Sequence, residues 1–255
     1  MKRRSRVEDR PYKLPFMFYR SRVELTEYED VQVIRFYPKQ KASKTVLYLH
    51  GGAYVQQISF FHIRYCDTLC YAANVNIVIP LYKLSPNHTW EETYSFLASL
   101  YADEKPDVIM GDSAGGGLAA GFVQTLSDKP SKVCLLSPWV DVSMKSDYSD
   151  YVKKDPMLGV DGLREMGRIW AGNLDASDQK ISPLYGAFDD FPETLIFTGT
   201  REIFYPDVLK FHQKLVQAGL KTELVTGMGM NHVYPMYPIP EARKALETVI
   251  RFLTA

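Results

Sequence analysis

Six short apolar runs punctuate the chain: TVLYLH (Thr45 to His50), VNIVIPLY (Val75 to Tyr82), DVIMG (Asp107 to Gly111), KVCLLSP (Lys132 to Pro138), TLIFTG (Thr194 to Gly199) and TELVTG (Thr222 to Gly227). Strands that are apolar on both faces belong to a parallel sheet covered on both sides. Between them lie stretches whose apolar positions recur at helical spacing: His62 to Ala73, Trp90 to Asp103, Gly115 to Ser127, Pro206 to Ala218 and Glu241 to Leu253. Alternation of this kind implies βαβ units wound into one doubly covered sheet. The preceding segment, Val23 to Pro38, alternates apolar and polar residues instead, which predicts one or two antiparallel edge strands.

One region breaks the rhythm. From Val140 to Asp190 the sequence is polar and irregular, with a single helical pattern around Leu163 to Ala171. A long insertion between two sheet strands is usually a lid or a binding loop, and otherwise a surface excursion. No internal repeat or low-complexity segment is present.

The bulk numbers exclude more than they identify. At 255 residues the chain is long enough for a full core without staples. Thirty basic residues balance thirty acidic ones, which argues against a nucleic-acid footprint. Cys66, Cys70 and Cys134 show neither a Cys-x-x-Cys pair nor a neighbouring histidine cluster, so they read as small buried hydrophobes. The basic start, MKRRSR, runs into Glu8 and Asp9 rather than an apolar segment, and no stretch approaches the ~18 apolar residues of a membrane span. A cytoplasmic protein is therefore expected, with the basic arm solvated or touching an anionic surface.

The chemistry concentrates around Ser113. It stands in Gly111-Asp112-Ser113-Ala114-Gly115, between the strand DVIM and the small-residue run AGGGLAAGF. A sharp strand-to-helix turn needs small neighbours on both flanks, and it lifts the serine hydroxyl to a helix N-terminus where negative charge is favoured. The competing reading is a tight turn that merely uses serine.

A serine nucleophile needs a base. Of the five histidines, His62 and His212 fall within amphipathic helices as surface or packing residues, His88 opens a helix, and His50 closes a strand. His232 lies in GMGMNHVYP, after the last strand, in a loop expected over the carboxyl ends of the strands beside Ser113. The acid should follow TLIFTG. Glu202 is favoured because its longer side chain can reach His232, while Asp207 reads also as an acid in a helix's first turn. For an oxyanion, the backbone N–H groups of Gly51 and Gly52 in HGGAY and of Ala114 are the expected donors.

These residues resemble the hormone-sensitive lipase family of α/β-hydrolases, the HGGG-type microbial esterases and lipases. HGGAY is similar to the oxyanion motif with Ala53 at the third glycine, GDSAGGGLA to the nucleophile turn, PLYKLSPNHTWEET to the strand-four segment, LLSPWVDVS and DPML to segments after strand six, and GMNHVYP to the histidine loop. The resemblance implies an α/β-hydrolase fold over residues 1–255, a mostly parallel doubly wound sheet flanked by helices. Small cap elements are expected at about 1–22 and 140–190. It implies Ser113 as nucleophile, His232 as base, and Gly51, Gly52 and Ala114 as oxyanion donors, with His50 orienting the loop. The acid departs from the family's usual aspartate, so Glu202 and Asp207 both stay open. The short amino-terminal cap implies a shallow pocket.

The function expected is a serine carboxylesterase for short-chain acyl esters, working without cofactor or metal on a small-molecule substrate. A deacetylase or amidase on the same triad, or a non-catalytic small-molecule-binding homologue, are the alternatives. Oligomeric state stays open.

Overall fold

The computed structural model describes residues 11–42 and 44–255. Its strands are β1 (Arg22–Tyr28), β2 (Val31–Tyr37), β3 (Thr45–Leu49), β4 (Asn76–Pro80), β5 (Val108–Asp112), β6 (Lys132–Leu136), β7 (Glu193–Gly199) and β8 (Thr222–Gly227). Its α-helices are α1 (Phe60–Ala73), α2 (Trp90–Glu104), α3 (Ser113–Thr125), α4 (Val160–Ala171), α5 (Tyr205–Gln217) and α6 (Pro240–Thr254). All six apolar runs are strands, and the sheet runs in the order β1-β2-β4-β3-β5-β6-β7-β8. From β4 to β8 every pairing is parallel, while β1 with β2 and β2 with β4 are antiparallel. The alternating segment is thus a hairpin of which only β1 is an edge. β2 lies inside the sheet, and its register (Val33 opposite Pro80, Phe36 opposite Ile77) buries both faces.

The period-two alternation sorts side chains into two cores. Leu47, Leu49 and Ile109 join residues of α2, α3, α4 and α5 on one face. Val46, Tyr48, Val108 and Met110 join residues of α1 and α6 on the other. A helix on each face removes the apolar strand residues from water, which is the main driving force for this architecture.

The insertion is packed rather than loose. Val142, Tyr148, Trp170, Ile181 and Phe188 belong to the α2–α5 core. Two carboxylates tie it down. Asp207, at the start of α5, accepts from the Ser146 hydroxyl and, at 2.5 Å, from Tyr148 Oη. Asp141 accepts from Ser143 N–H at 2.9 Å and from Tyr185 Oη at 2.9 Å.

At the amino terminus, residues 11–21 lie along the flank of the sheet. Tyr12 N–H donates to Gln32 Oε1 at 2.6 Å, and Ser21 N–H donates to Asp67 of α1 at 3.0 Å. The rest of the expected amino-terminal cap element, residues 1–10, falls outside the described residues. Among the described residues no helix is long and apolar enough to cross a membrane.

Candidate active site

The turn from β5 into α3 places Ser113 at φ +53°, a left-handed conformation that L-residues avoid. α3 starts at Ser113 itself, two residues earlier than its periodicity predicts, because the glycines hid the first turn. Those glycines are there for space. A Cβ on Gly111 would lie 2.4 Å from the Gly115 carbonyl oxygen, and one on Gly115 would lie 2.1 Å from the Leu49 carbonyl oxygen. The strand, the turn and the neighbouring β3 therefore approach backbone to backbone, and the strain at Ser113 is held by its surroundings.

His232 follows β8 and its Nε2 stands 2.9 Å from Ser113 Oγ. On the other side of the ring, Nδ1 is 2.6 Å from Glu202 Oε2. A carboxylate can only accept, so Nδ1 carries the proton and Nε2 is left to accept from the serine hydroxyl. Glu202 is fully buried at 0% exposure. Its second oxygen accepts from Gly199 N–H at 2.8 Å and from the Thr198 hydroxyl. Phe204 meets the His232 ring edge-on at 5.1 Å and limits its rotation.

Sequence reasoning left the acid open between two residues, and the geometry separates them. Glu202 reaches the imidazole, whereas Asp207 is spent on Ser146 and Tyr148. Burial raises the Asp207 carboxyl above the usual aspartate range.

The oxyanion expectations need one correction. Gly51 N–H is donated to Asp112 Oδ1 at 3.0 Å, so that amide is already engaged. Gly51 is a glycine for space: a Cβ there would lie 2.3 Å from Asp112 Oδ2 and 2.9 Å from Ser113 Cβ. Gly52 and Ala53 follow at φ +122° and +52°, and their N–H groups meet no acceptor among the described residues. Ala114, second residue of α3, has a first-turn N–H without an intrahelical acceptor. The N–H groups left open in the loop after β3 and at the start of α3 are therefore those of Gly52, Ala53 and Ala114. Ala53 occupies a left-handed position where glycine carries no Cβ penalty.

His50 is buried against its own loop. Its Nδ1–H donates to the Gly51 carbonyl at 2.7 Å and its ring stacks on Tyr82 at 4.4 Å. Burial, with the neighbouring His62, pushes its pKa down to about 4.

Several supporting residues escaped the sequence. Ser137, after β6, accepts Val233 N–H at 3.0 Å and so holds the histidine loop. The Trp139 backbone N–H donates to the Ser113 carbonyl at 2.8 Å. Asp155 of the DPML segment accepts Ile203 N–H at 2.8 Å, bracing the residue next to Glu202. Asp112 is 2% exposed and takes Tyr48 Oη at 2.8 Å and His62 Nε2 at 3.2 Å besides Gly51. Burial alone would raise its pKa. The neighbouring His62 imidazole, with hydrogen bonds from His62, Tyr48 and Gly51, outweighs that and holds the carboxyl below its ordinary range. Of the two readings its helix pattern allowed, surface or packing, His62 is therefore the packed one, with its side chain 13% exposed. The signal was Ser59-x-x-His62, a capping-box spacing that places residue 62 in the first turn of α1.

Two surface cavities, of about 260 and 520 Å³, lie beside the β1–β2 turn and within the insertion, and neither is lined by Ser113 or His232. No group of three or more His, Cys, Asp or Glu side chains is arranged to hold a metal among the described residues.

Known proteins share this arrangement of elements. A sequence profile described as alpha/beta hydrolase fold matches residues 46–236. An esterase from Acinetobacter venetianus is 26% identical over 229 residues, 84% of this chain and 76% of that protein. An acetyl-hydrolase from Streptomyces hygroscopicus is 27% identical over 230 residues, 85% of this chain and 77% of that protein. The crystal structure of a candidate esterase from Staphylococcus aureus superposes with a TM-score of 0.95 at 29% identity, covering 100% of this chain and 90% of that one.

Proposed function

Because the chain belongs to the α/β-hydrolase family and is a carboxylic ester hydrolase, we propose that Ser113, His232 and Glu202 perform its chemistry on short-chain acyl esters. The observation that carries this reading is the continuous relay from Ser113 Oγ through both His232 nitrogens to Glu202.

Ser113 Oγ attacks the ester carbonyl as His232 Nε2 takes its proton. The carbonyl oxygen becomes an oxyanion and is received by the N–H groups of Gly52, Ala53 and Ala114, each such donor contributing ~3 kcal/mol. Glu202 stabilises the imidazolium. The imidazolium then gives its proton to the departing alcohol, which leaves Ser113 acylated. Water, deprotonated by His232, attacks the acyl carbonyl, and the imidazolium returns that proton to Ser113 Oγ as the acyl–oxygen bond breaks, releasing the acid and free Ser113.

Two features support a small acyl group. Trp170 of α4 stacks on Tyr54 at 4.1 Å, and the row continues through Trp139 and Phe204 to His232. Trp139, Trp170, Tyr54 and Phe204 are fully buried, so rings already fill the volume next to the imidazole. Residues 140–190 act as the cap of a single catalytic domain by contributing Trp170 to this wall.

The test is labelling with a fluorophosphonate, followed by turnover of p-nitrophenyl esters of graded chain length. Labelling that disappears in S113A, with acetate and butyrate esters preferred over long chains, is the expected result. Folded wild-type protein that takes no label would overturn the nucleophile. A preference for long acyl chains would overturn the substrate class.

A further inference from the structure

A second histidine–carboxylate pair, His62 with Asp112, involves the residue immediately before the nucleophile. Ser59 N–H donates to His62 Nδ1 at 3.1 Å, with Ser59 Oγ 2.7 Å from the same nitrogen. This is a capping box in which histidine stands where glutamate or glutamine usually does. Since Nδ1 accepts from a backbone amide, the ring proton resides on Nε2. That nitrogen points at Asp112 Oδ2, 3.2 Å away. The other oxygen of Asp112 accepts Gly51 N–H at 3.0 Å and Tyr48 Oη at 2.8 Å. One carboxylate therefore joins the first turn of α1, the oxyanion loop and the residue immediately before Ser113.

We propose that His62 is a positioning residue: through Asp112 it holds Gly51, and hence the Gly52 and Ala53 donors, in register with Ser113. The proposal rests on the reading of Ser113 as nucleophile. The loop needs such a tether. Gly52, Ala53 and Tyr54 are consecutive residues at positive φ, and Gly51 packs directly on the Asp112 carboxylate and Ser113 Cβ. Without the imidazole, Asp112 Oδ2 would be a buried oxygen short of a donor, free to draw on the Gly51 amide or to rotate away from it. A displacement of the donors by ~1 Å is enough to cost up to ~100-fold in rate. The donors act on the oxyanion that forms during the reaction, so the loss falls on kcat rather than on KM.

Three substitutions separate positioning from simple helix capping. In H62Q the new side chain offers an oxygen to Ser59 N–H and a nitrogen to Asp112, so both contacts are replaced. In H62E the cap is kept and the donor to Asp112 is removed, which sets two carboxylates face to face. H62L removes both contacts. We expect H62Q to keep kcat within about threefold of wild type, and H62E and H62L to lose ~10- to 100-fold with KM little changed, all at an alkaline assay pH. Equal kcat in H62Q and H62E would show that His62 only caps α1 and would overturn the proposal.

Hydrogen exchange of the Gly51 amide, followed by NMR, gives a readout that needs no turnover. Protection retained in H62Q and lost in H62E supports the tether even if the wild type proves inactive on esters; equal protection in both overturns it. Should H62L fail to fold, the comparison of H62Q with H62E still decides.

Discussion

Replacing Glu202 by glutamine tests the relay where its geometry is most constrained. The two oxygens of Glu202 have different partners. Oε1 accepts from Gly199 N–H at 2.8 Å and from the Thr198 hydroxyl, and Oε2 faces His232 Nδ1 at 2.6 Å. A glutamine must place its single carbonyl oxygen on one side. With the oxygen kept toward Gly199, the amide nitrogen faces His232 and donates. Nδ1 must then accept, the ring proton moves to Nε2, and the base confronts Ser113 as a donor. Such a reversed tautomer costs ~10⁴ in kcat, about 5.5 kcal/mol. With the amide flipped, His232 keeps its tautomer but Gly199 N–H faces a donor in a fully buried place. That unpaired backbone group costs ~1–3 kcal/mol, which makes the competent arrangement the minor one by ~5- to 150-fold. The imidazolium also loses its counter-charge in either arrangement. We therefore expect kcat to fall by between ~10² and ~10⁴ with the fold intact by circular dichroism. The assay is initial rate on p-nitrophenyl acetate against concentration, so that kcat and KM separate. A loss of less than tenfold would refute the assignment of Glu202.

Two further outcomes follow from the same contacts. D207N should leave kcat within about threefold, since Asp207 does not reach His232, while lowering stability by ~1–2 kcal/mol through one lost acceptor for Ser146 or Tyr148; a kcat loss matching that of E202Q would exchange the two acids. The raised pKa of Asp207 adds a pH signature: its contribution to stability is full below the unfolded value of ~3.9 and is lost as pH rises through the higher folded value. D207N should flatten that part of the Tm–pH curve, and an unchanged slope would contradict the burial argument. Ala53 sits at φ +52°, where alanine is strained, so A53G should raise stability by ~0.5–1 kcal/mol after the greater freedom of glycine in the unfolded chain is deducted. Differential scanning calorimetry reads this as a Tm increase of ~1–4 °C, and because the donor is a backbone N–H, kcat should hardly change; a lower Tm would mean that the alanine methyl packs usefully.

The amino-acid sequence by itself indicated the strands and helices, their order along the chain, and a short set of candidate residues around Ser113. Those features are local: a run of β-branched residues, a helical period, and a glycine on each side of a serine each declare themselves within a few positions. The resemblance of HGGAY and GDSAGGGLA to esterase motifs rests on the same short-range information. Tertiary structure decided what depends on direction. Glu202 and Asp207 stand five positions apart, and only the turn after β7 sends one toward His232 and the other into the insertion. Gly51 was read as an oxyanion donor, but its amide turns to Asp112 because β3 and β5 are neighbours in the sheet. His62 showed a helical period that allowed either surface or packing, and only the packed start of α1 brings Nε2 to a buried carboxylate fifty residues away in sequence. A hydrogen bond is made by whichever donor and acceptor the packed chain leaves within about 3 Å of each other, and no spacing along the sequence records that distance.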